Sequence, residues 1–317
     1  MSRIHILYEN PEWLPPIEAA LKDKDVNYKL QFVNDGSFDL SKSPEEGIYI
    51  NRMSPSSHTR GHLNGVLFTR ELLQWLEFHG RRVINGSRAF SLELSKTQQD
   101  IELRRFEILT PMTVVVVGKN KLKNAARNMP LPFITKHNQG GKGLGVRLFN
   151  DLENFDDYVN GPEFVNDPNG INLLQEYIEP KENFITRVEI VGGQFVLAMH
   201  SSTEGGFELC PAEDCDEATD IFCPTDNKNG RFSPALEISP NDDLILQYIK
   251  LMEANAIDVA GIEFVESSDG LRYTYDINTT TNYNTDVESQ LGIRGMATVV
   301  DLASKLLAID YPEVSMC

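Results

Sequence analysis

The stretch KHNQGGKGLGV, Lys136 to Val146, packs four glycines and two lysines into eleven residues. A β-like run, PFITK, leads into it and another, GVRLF, leads out. Without a Cβ, successive backbone N–H groups can approach a ligand closely and form an anion-binding concavity. Lysine adds a point charge suited to phosphate. The pattern therefore reads as a flap over nucleotide phosphates, with Gln139, Gly140, Gly141, Lys142 and Gly143 as its contacts. The plainer alternative is a hairpin with glycine-rich turn chemistry.

Two familiar phosphate loops do not fit. A Walker A loop needs Ser or Thr after its lysine and opens a helix, whereas Gly143 follows Lys142 and a strand follows the loop. A dinucleotide fingerprint also opens a helix, and Gly141, Gly143 and Gly145 give G-x-G-x-G into a strand. The strand–loop–strand setting is closer to a protein-kinase flap, but the chain has no H-R-D and no D-F-G.

Outward from the loop, 317 residues suffice for two or three domains with real cores. No apolar run approaches 18 residues, and MSRIHILYENPEW reads as a buried first strand rather than a signal peptide. Cys210, Cys215, Cys223 and Cys317 match no zinc spacing and read as reduced thiols of a cytoplasmic protein. The net charge of −18 argues against nucleic-acid and membrane binding, both of which use basic patches.

Residues 1–94 alternate strand and helix signals, as in a parallel sheet: RIHILY, PIEAALKDK, YKLQFV, GIYINRM, NGVLFTRELLQWLEFHG and RRVING. One long helix is expected from about Ser87 to Arg105. A small α+β unit, residues 95–170, holds TVVVVG, the flap and its two strands. A third unit, 171–317, begins at INLLQEYI and carries two hairpins turning at Gly192-Gly193 and at Ser268-Asp269-Gly270. Between them Gly205–Gly230 is acidic and irregular.

The second hairpin, VAGIEFVESSDGLRYTYDIN, places Asp276 and Asn278 on one face of a strand, with Glu263 opposite. Three oxygen donors on one face suit Mg²⁺, which can bridge nucleotide oxygens; Glu, Asp and Asn are also ordinary on a solvent face. LLQEYIEPKENF is a short strand with a polar exit; Glu176, Tyr177 and Ile178 are candidates for an adenine-reading segment, and Glu182 for the ribose. Lys96, on the predicted helix, carries no message alone. In NRMSPSSHTRGH, Arg52, Ser56, His58, Arg60 and His62 cluster after a parallel strand, where open α/β sheets place ligands. That loop is a candidate for binding a substrate carboxylate, or else simple turn and cap chemistry.

Together these stretches resemble the ATP-grasp superfamily, specifically its RimK-like branch of glutamate ligases and relatives, over about residues 90–310. Lys96 in LSKTQQD matches the family's first lysine and Lys136 its second. Gln175 to Ile178 match an adenine strand of the pattern QE[YF]I. Arg187 in ITRVEIVGG matches an arginine nine residues beyond it. AGIE…DIN matches AGVD…EVN, which assigns Glu263, Asp276 and Asn278 to metal. The pattern departs in places: both metal carboxylates are exchanged, Ile185 stands where the ribose acid is expected, and an Arg-Ser-Asn-like phosphate element is replaced by GGFELCPAEDC. An NSSPG-like tail has become NTTTNYN, which puts Asn282 on the acceptor side.

The resemblance implies an α/β fold in which an N-terminal parallel-sheet domain precedes two α+β subdomains that clasp ATP. It implies ATP and Mg²⁺, with Mn²⁺ as an alternative ion, and a carboxylate–amine ligase working through an acylphosphate on an amino acid, small peptide or peptide tail. Arg187, Lys136 and Lys142 would be catalytic, and relatives often form dimers or tetramers. A phosphotransferase and a non-catalytic ATP-binding module are the rival expectations.

Overall fold

The computed structural model describes residues 3–141, 143, 145–203 and 231–312. Lys142, the four cysteines and the acidic stretch 205–230 lie outside the described residues.

The N-terminal domain is a parallel sheet in the order β2-β1-β3-β4, formed by β1 (Arg3–Tyr8), β2 (Tyr28–Phe32), β3 (Gly47–Arg52) and β4 (Val83–Ile84). Every residue of β3 is buried, as expected of a central parallel strand covered on both faces. One face meets α2 (Leu63–Phe78) through Leu7, Tyr49, Met53, Val66, Leu72 and Leu76. The other meets α1 (Pro15–Asp23) and also the last helix of the chain.

The expected long helix over 87–105 is two helices, α3 (Ser87–Glu93) and α4 (Lys96–Arg105). Ser95 breaks the run: it is extended (φ −146°, ψ 100°), and its side chain accepts the N–H of Gln98, an N-cap that starts a new helix. Lys96 thus stands at the first turn of α4.

The middle sheet, in the order β5-β8-β6-β7, is antiparallel throughout: β5 (Thr113–Val117), β6 (Phe133–His137), β7 (Arg147–Phe149) and β8 (Ile171–Glu176). β8, at the start of the expected third unit, is hydrogen-bonded inside this sheet. Helices α5 (Lys119–Ala126) and α6 (Leu152–Asn160) cover one face, with Phe155 of α6 packed among Phe133, Phe149 and Leu174. The opposite face carries Ile134, Lys136 and Gln175 toward the rest of the molecule.

The C-terminal sheet follows the order β11-β10-β9-β12-β13, with β9 (Phe184–Val191), β10 (Gln194–Ser202), β11 (Phe232–Pro234), β12 (Val259–Glu266) and β13 (Arg272–Asn278). Both expected hairpins form. Behind the sheet, α7 (Asp243–Ala254) packs with Leu92 and Leu103 of α3 and α4 against Val188, Ile190, Ile262 and Phe264. The chain ends with α8 (Thr285–Leu291) and α9 (Gly295–Asp310). Met296, Val299 and Val300 of α9 share one core with Ile4, Ile48 and Ile50 of the first domain and with Val191 and Val259.

Asn85 reinforces that junction. It sits in the left-handed region (φ 55°), and its side-chain Nδ2 donates to Val259 O (2.8 Å) and Thr279 O (2.7 Å). Its Oδ1 accepts the N–H groups of Asp258 (2.8 Å) and Val259 (3.1 Å). Asn85→Ala leaves these buried groups unpaired and puts a Cβ-bearing residue without a local hydrogen bond at positive φ. A loss of about 3 kcal/mol in unfolding free energy is expected, read by urea denaturation. Among the described residues no helix is long and apolar enough to cross a membrane.

Candidate functional site

A cleft between the middle and C-terminal sheets, roofed by the first domain, encloses about 1460 Å³ of space including its open mouth. Its floor is one face of the C-terminal sheet. In β9 and β12, Arg187 lies directly opposite Glu263 and Glu189 opposite Gly261. In β12 and β13, Gly261 pairs with Asn278 and Glu263 with Asp276. Strand periodicity therefore puts Arg187, Glu263, Asp276 and Asn278 on one surface, and all four line the cleft.

The next pairing is Phe264 with Thr274, so Tyr275 is a surplus residue, a β-bulge. A bulge re-aims side chains, and Tyr275 joins Asp276 in lining the cleft although strict alternation would send it to the far face. Its carbonyl accepts Lys136 Nζ at 3.0 Å, and its ring lies 5.0 Å from the same ammonium. Alternation did not disclose this residue.

The charges interlock. Lys96 is ion-paired and hydrogen-bonded to Asp276. Arg187 bonds Glu263 (2.7 Å) through Nη1, Glu189 (2.6 Å) through Nε and Thr281 Oγ1 (2.8 Å) through Nη2. Burial would raise the Asp276 pKa, but Lys96 and Lys136 overcome it and hold the carboxyl below its ordinary range. Burial pushes Glu263 up, with the charge of Asp276 adding and Arg187 opposing. Burial, together with repulsion from Lys96, pushes Lys136 down to about 8.

Arg187 reaches its partners only because residue 261 is glycine. A Cβ there would lie 2.1 Å from Arg187 Nη2. Gly261→Ala must displace the guanidinium or the strand, so we expect a destabilisation of about 1–3 kcal/mol. Loss of the Arg187–Glu263 contact is also expected, measurable as a fall in ATP turnover and in Tm.

Two carboxylates and an amide form a hard-oxygen donor set that fits Mg²⁺ shared with phosphate oxygens. Asn278 Nδ2 faces Gly261 O at 3.5 Å, which leaves its carbonyl oxygen for a ligand. Among the described residues no group of three or more His, Cys, Asp or Glu could hold a metal unaided. The ion would depend on a nucleotide to complete its shell.

The glycine-rich loop joins β6 to β7 as a hairpin, with Gly140, Gly141 and Gly143 lining the cleft. Gly145 has φ +74°, and a Cβ on it would stand 2.6 Å from the His137 ring, so this position excludes other residues. Gln139 does not line the cleft. Its backbone N–H bonds Asp167 (2.6 Å), and its side chain is used by Asn169 (2.6 Å) and Pro55 O (3.4 Å), which anchors the loop's base. Asn138 ties that base to α4: its carbonyl accepts the N–H of Lys96 (3.0 Å), and its Oδ1 accepts Thr97 Oγ1 (2.7 Å).

Gln175, Glu176, Tyr177 and Ile178 line the far end, with Ile134, Val146, Ile185 and Val265 as apolar walls. Glu182 is exposed and lies outside the lining, because the chain turns away after Pro180. The first domain contributes Trp13, Ser54, Pro55 and Ser56, and the loop after β13 contributes Thr280 and Asn282.

The expected cationic cluster is spent elsewhere. Arg60 is ion-paired to the buried Glu9, and His62 Nδ1 lies 2.8 Å from the same carboxylate. His58 bonds Pro55 O (3.1 Å) within its own turn. Arg52 is buried behind Asn282, donating to its Oδ1 (2.5 Å) and to Thr281 O (3.2 Å). Of that loop's candidates only Ser56 lines the cleft.

Glu93 was not foreseen. It ends α3 against the cleft, accepts the N–H of Thr279, and is pushed up to about 7 by burial. A lone Glu three residues before Lys96 gives no sequence signal.

A sequence model of the RimK-like ATP-grasp domain matches residues 93–210. Residues 93–210 carry a RimK-like ATP-grasp domain. Solved structures share the ATP-grasp architecture over nearly the whole length. A RimK-domain ATP-grasp protein from Sphaerobacter thermophilus is 15% identical, with 96% of this chain and 100% of that one covered and a TM-score of 0.64. The D-cycloserine synthetase DcsG gives 16%, 96%, 99% and 0.66 in the same order. The ATP-grasp ligase PsnB, complexed with a phosphomimetic variant of a minimal precursor, Mg and ADP, gives 12%, 96%, 98% and 0.65. At these identities the likeness establishes the fold. No curated protein sequence matches.

Proposed function

We propose that the protein is an ATP-dependent ligase that joins a carboxylate to an amine through an acylphosphate. The observation that carries this reading is the convergence on Asp276 of Lys96 from α4 and Lys136 from β6, in a cleft walled by a glycine-rich hairpin. Two anions, ATP and a carboxylate, can meet only where their repulsion is screened, and this end of the cleft concentrates buried cations for that purpose.

Adenine would lie against Ile134, Ile185 and the segment Gln175–Ile178, and the ATP phosphates between the hairpin and Lys136. Glu263, Asp276 and Asn278 would hold Mg²⁺ with the nucleotide, and the ion would neutralise charge on the phosphates. A substrate carboxylate oxygen attacks the γ-phosphorus and ADP departs. The amine then attacks the acyl carbon, phosphate leaves, and the amine's proton passes to phosphate or water. Arg187 would stabilise negative charge on the transferring group, and the hairpin would exclude water from the acylphosphate. That PsnB holds Mg, ADP and a precursor agrees with a nucleotide and a peptide in one such cleft.

The test is incubation with Mg-ATP and pools of amino acids and peptides, following ADP, AMP and new masses together. ADP with a product lighter than its two components by one water supports the ligase. ADP with a phosphorylated acceptor replaces it with a phosphotransferase.

A further inference from the structure

The wall of the cleft contributed by the first domain has its own chemistry. Trp13 and Pro55 give it an apolar surface, and Ser54, Ser56, Thr280 and Asn282 give it neutral polar groups. These residues form one connected patch. Ser54 and Ser56 hydroxyls lie 2.9 Å apart, Thr280 Oγ1 bonds Met53 O at 3.0 Å, and the Arg60 guanidinium sits 5.1 Å from the Trp13 ring while reaching Ser56 Oγ at 3.4 Å.

Among the described residues, every cation near this patch is committed. Glu9, fully buried, takes Arg60 and His62. Arg52 is held by Thr281 O and Asn282 Oδ1. Lys96 and Arg187 are bound to carboxylates, and Lys136 to a carbonyl, at the metal end. A carboxylate pressed against Trp13 would lose its water without gaining a counter-ion, so burial there works against it. An apolar group there gains by leaving water.

We propose that this wall receives an uncharged, apolar or aromatic side chain of one of the two molecules joined, and that it rejects acidic side chains. The proposal rests on the ligase reading for its context, but its test reads binding without turnover. The chain has two tryptophans, and Trp75 stacks on Phe38 away from the cleft (5.0 Å). In Trp75→Phe protein, the tryptophan emission, excited beyond the tyrosine band, therefore reports Trp13 alone.

That emission is titrated, with Mg-ADP present, against L-phenylalanine, L-leucine, L-glutamate, L-aspartate and the dipeptides Gly-Phe and Gly-Glu. Saturable changes are expected with the neutral members, at least about tenfold tighter than with their acidic counterparts. Adding Glu9→Gln, which releases Arg60, is expected to tighten L-glutamate and Gly-Glu binding about tenfold while leaving L-phenylalanine within about twofold. Acidic probes binding as tightly as neutral ones in the parent protein, or no response to any neutral probe, would overturn the proposal. The mass-and-ADP experiment decides the ligase reading separately, so either conclusion can fall alone.

Discussion

Asp276→Ala is expected to lower ATP turnover by at least about 10³-fold, equivalent to about 4 kcal/mol of transition-state stabilisation. Asp276 is the carboxylate on which both lysines converge, and it stays ionised because Lys96 and Lys136 outweigh its burial. Removing it takes away a proposed metal ligand and leaves two ammonium groups without their shared carboxylate. Breaking a buried pair from one side also destabilises, by about 3–5 kcal/mol. Asp276→Asn, which keeps the volume and one acceptor oxygen, separates the two effects. It should fold with a melting temperature nearer the parent's and still lose turnover. Nucleotide affinity in both variants should no longer respond to Mg²⁺, since two lysines remain for the phosphates. A variant with intact folding that keeps a tenth of parental turnover would remove Asp276 from the metal site.

Lys136→Met is expected to weaken ATP binding about 100-fold and to make the empty protein more stable at pH 7. The lysine is 6% exposed, and its native pKa is held near 8, below its unfolded value. Below pH 8 both states carry the proton, so the folded protein bears the full cost of a buried charge, of order 3 kcal/mol. Between pH 8 and about 10.5 the unfolded chain binds more protons than the native one, so parental stability rises with pH relative to the variant. The variant's advantage in urea midpoint should therefore be largest at or below pH 8 and fade above it. Phosphate supplies the missing counter-charge, worth about 2–3 kcal/mol in a charge-assisted bond, and this sets the loss of affinity. An unchanged nucleotide affinity by calorimetry would take Lys136 out of the site.

Local patterns made much of this cleft readable. The hairpin around the glycine-rich loop, the shared face of Asp276 and Asn278, and the segment Gln175–Ile178 each follow from a few neighbouring residues, and all line the cleft. What escaped depends on partners far along the chain. Arg60 and His62 answer to Glu9, more than fifty positions away, so a loop that reads as cationic is neutralised from behind. Glu182 follows the adenine segment in sequence but turns outward in space. The division of the long helix, by contrast, was written locally: Ser95-Lys96-Thr97-Gln98 has the S-x-x-Q pattern of a helix start, and the Ser95 hydroxyl caps the Gln98 N–H.

The surplus residue at Tyr275 gives the site a parity. Between the turn of the last hairpin and Asp276 the chain holds one residue more than a regular ladder needs. Deleting one residue there would keep the composition of the strand almost intact and restore its ladder. The same step would leave Lys136 without its carbonyl anchor. Substitutions along this strand can be judged by size and charge, but insertions and deletions must be judged by whether their count is odd or even. A designer borrowing this strand for another protein should copy its length before its residues.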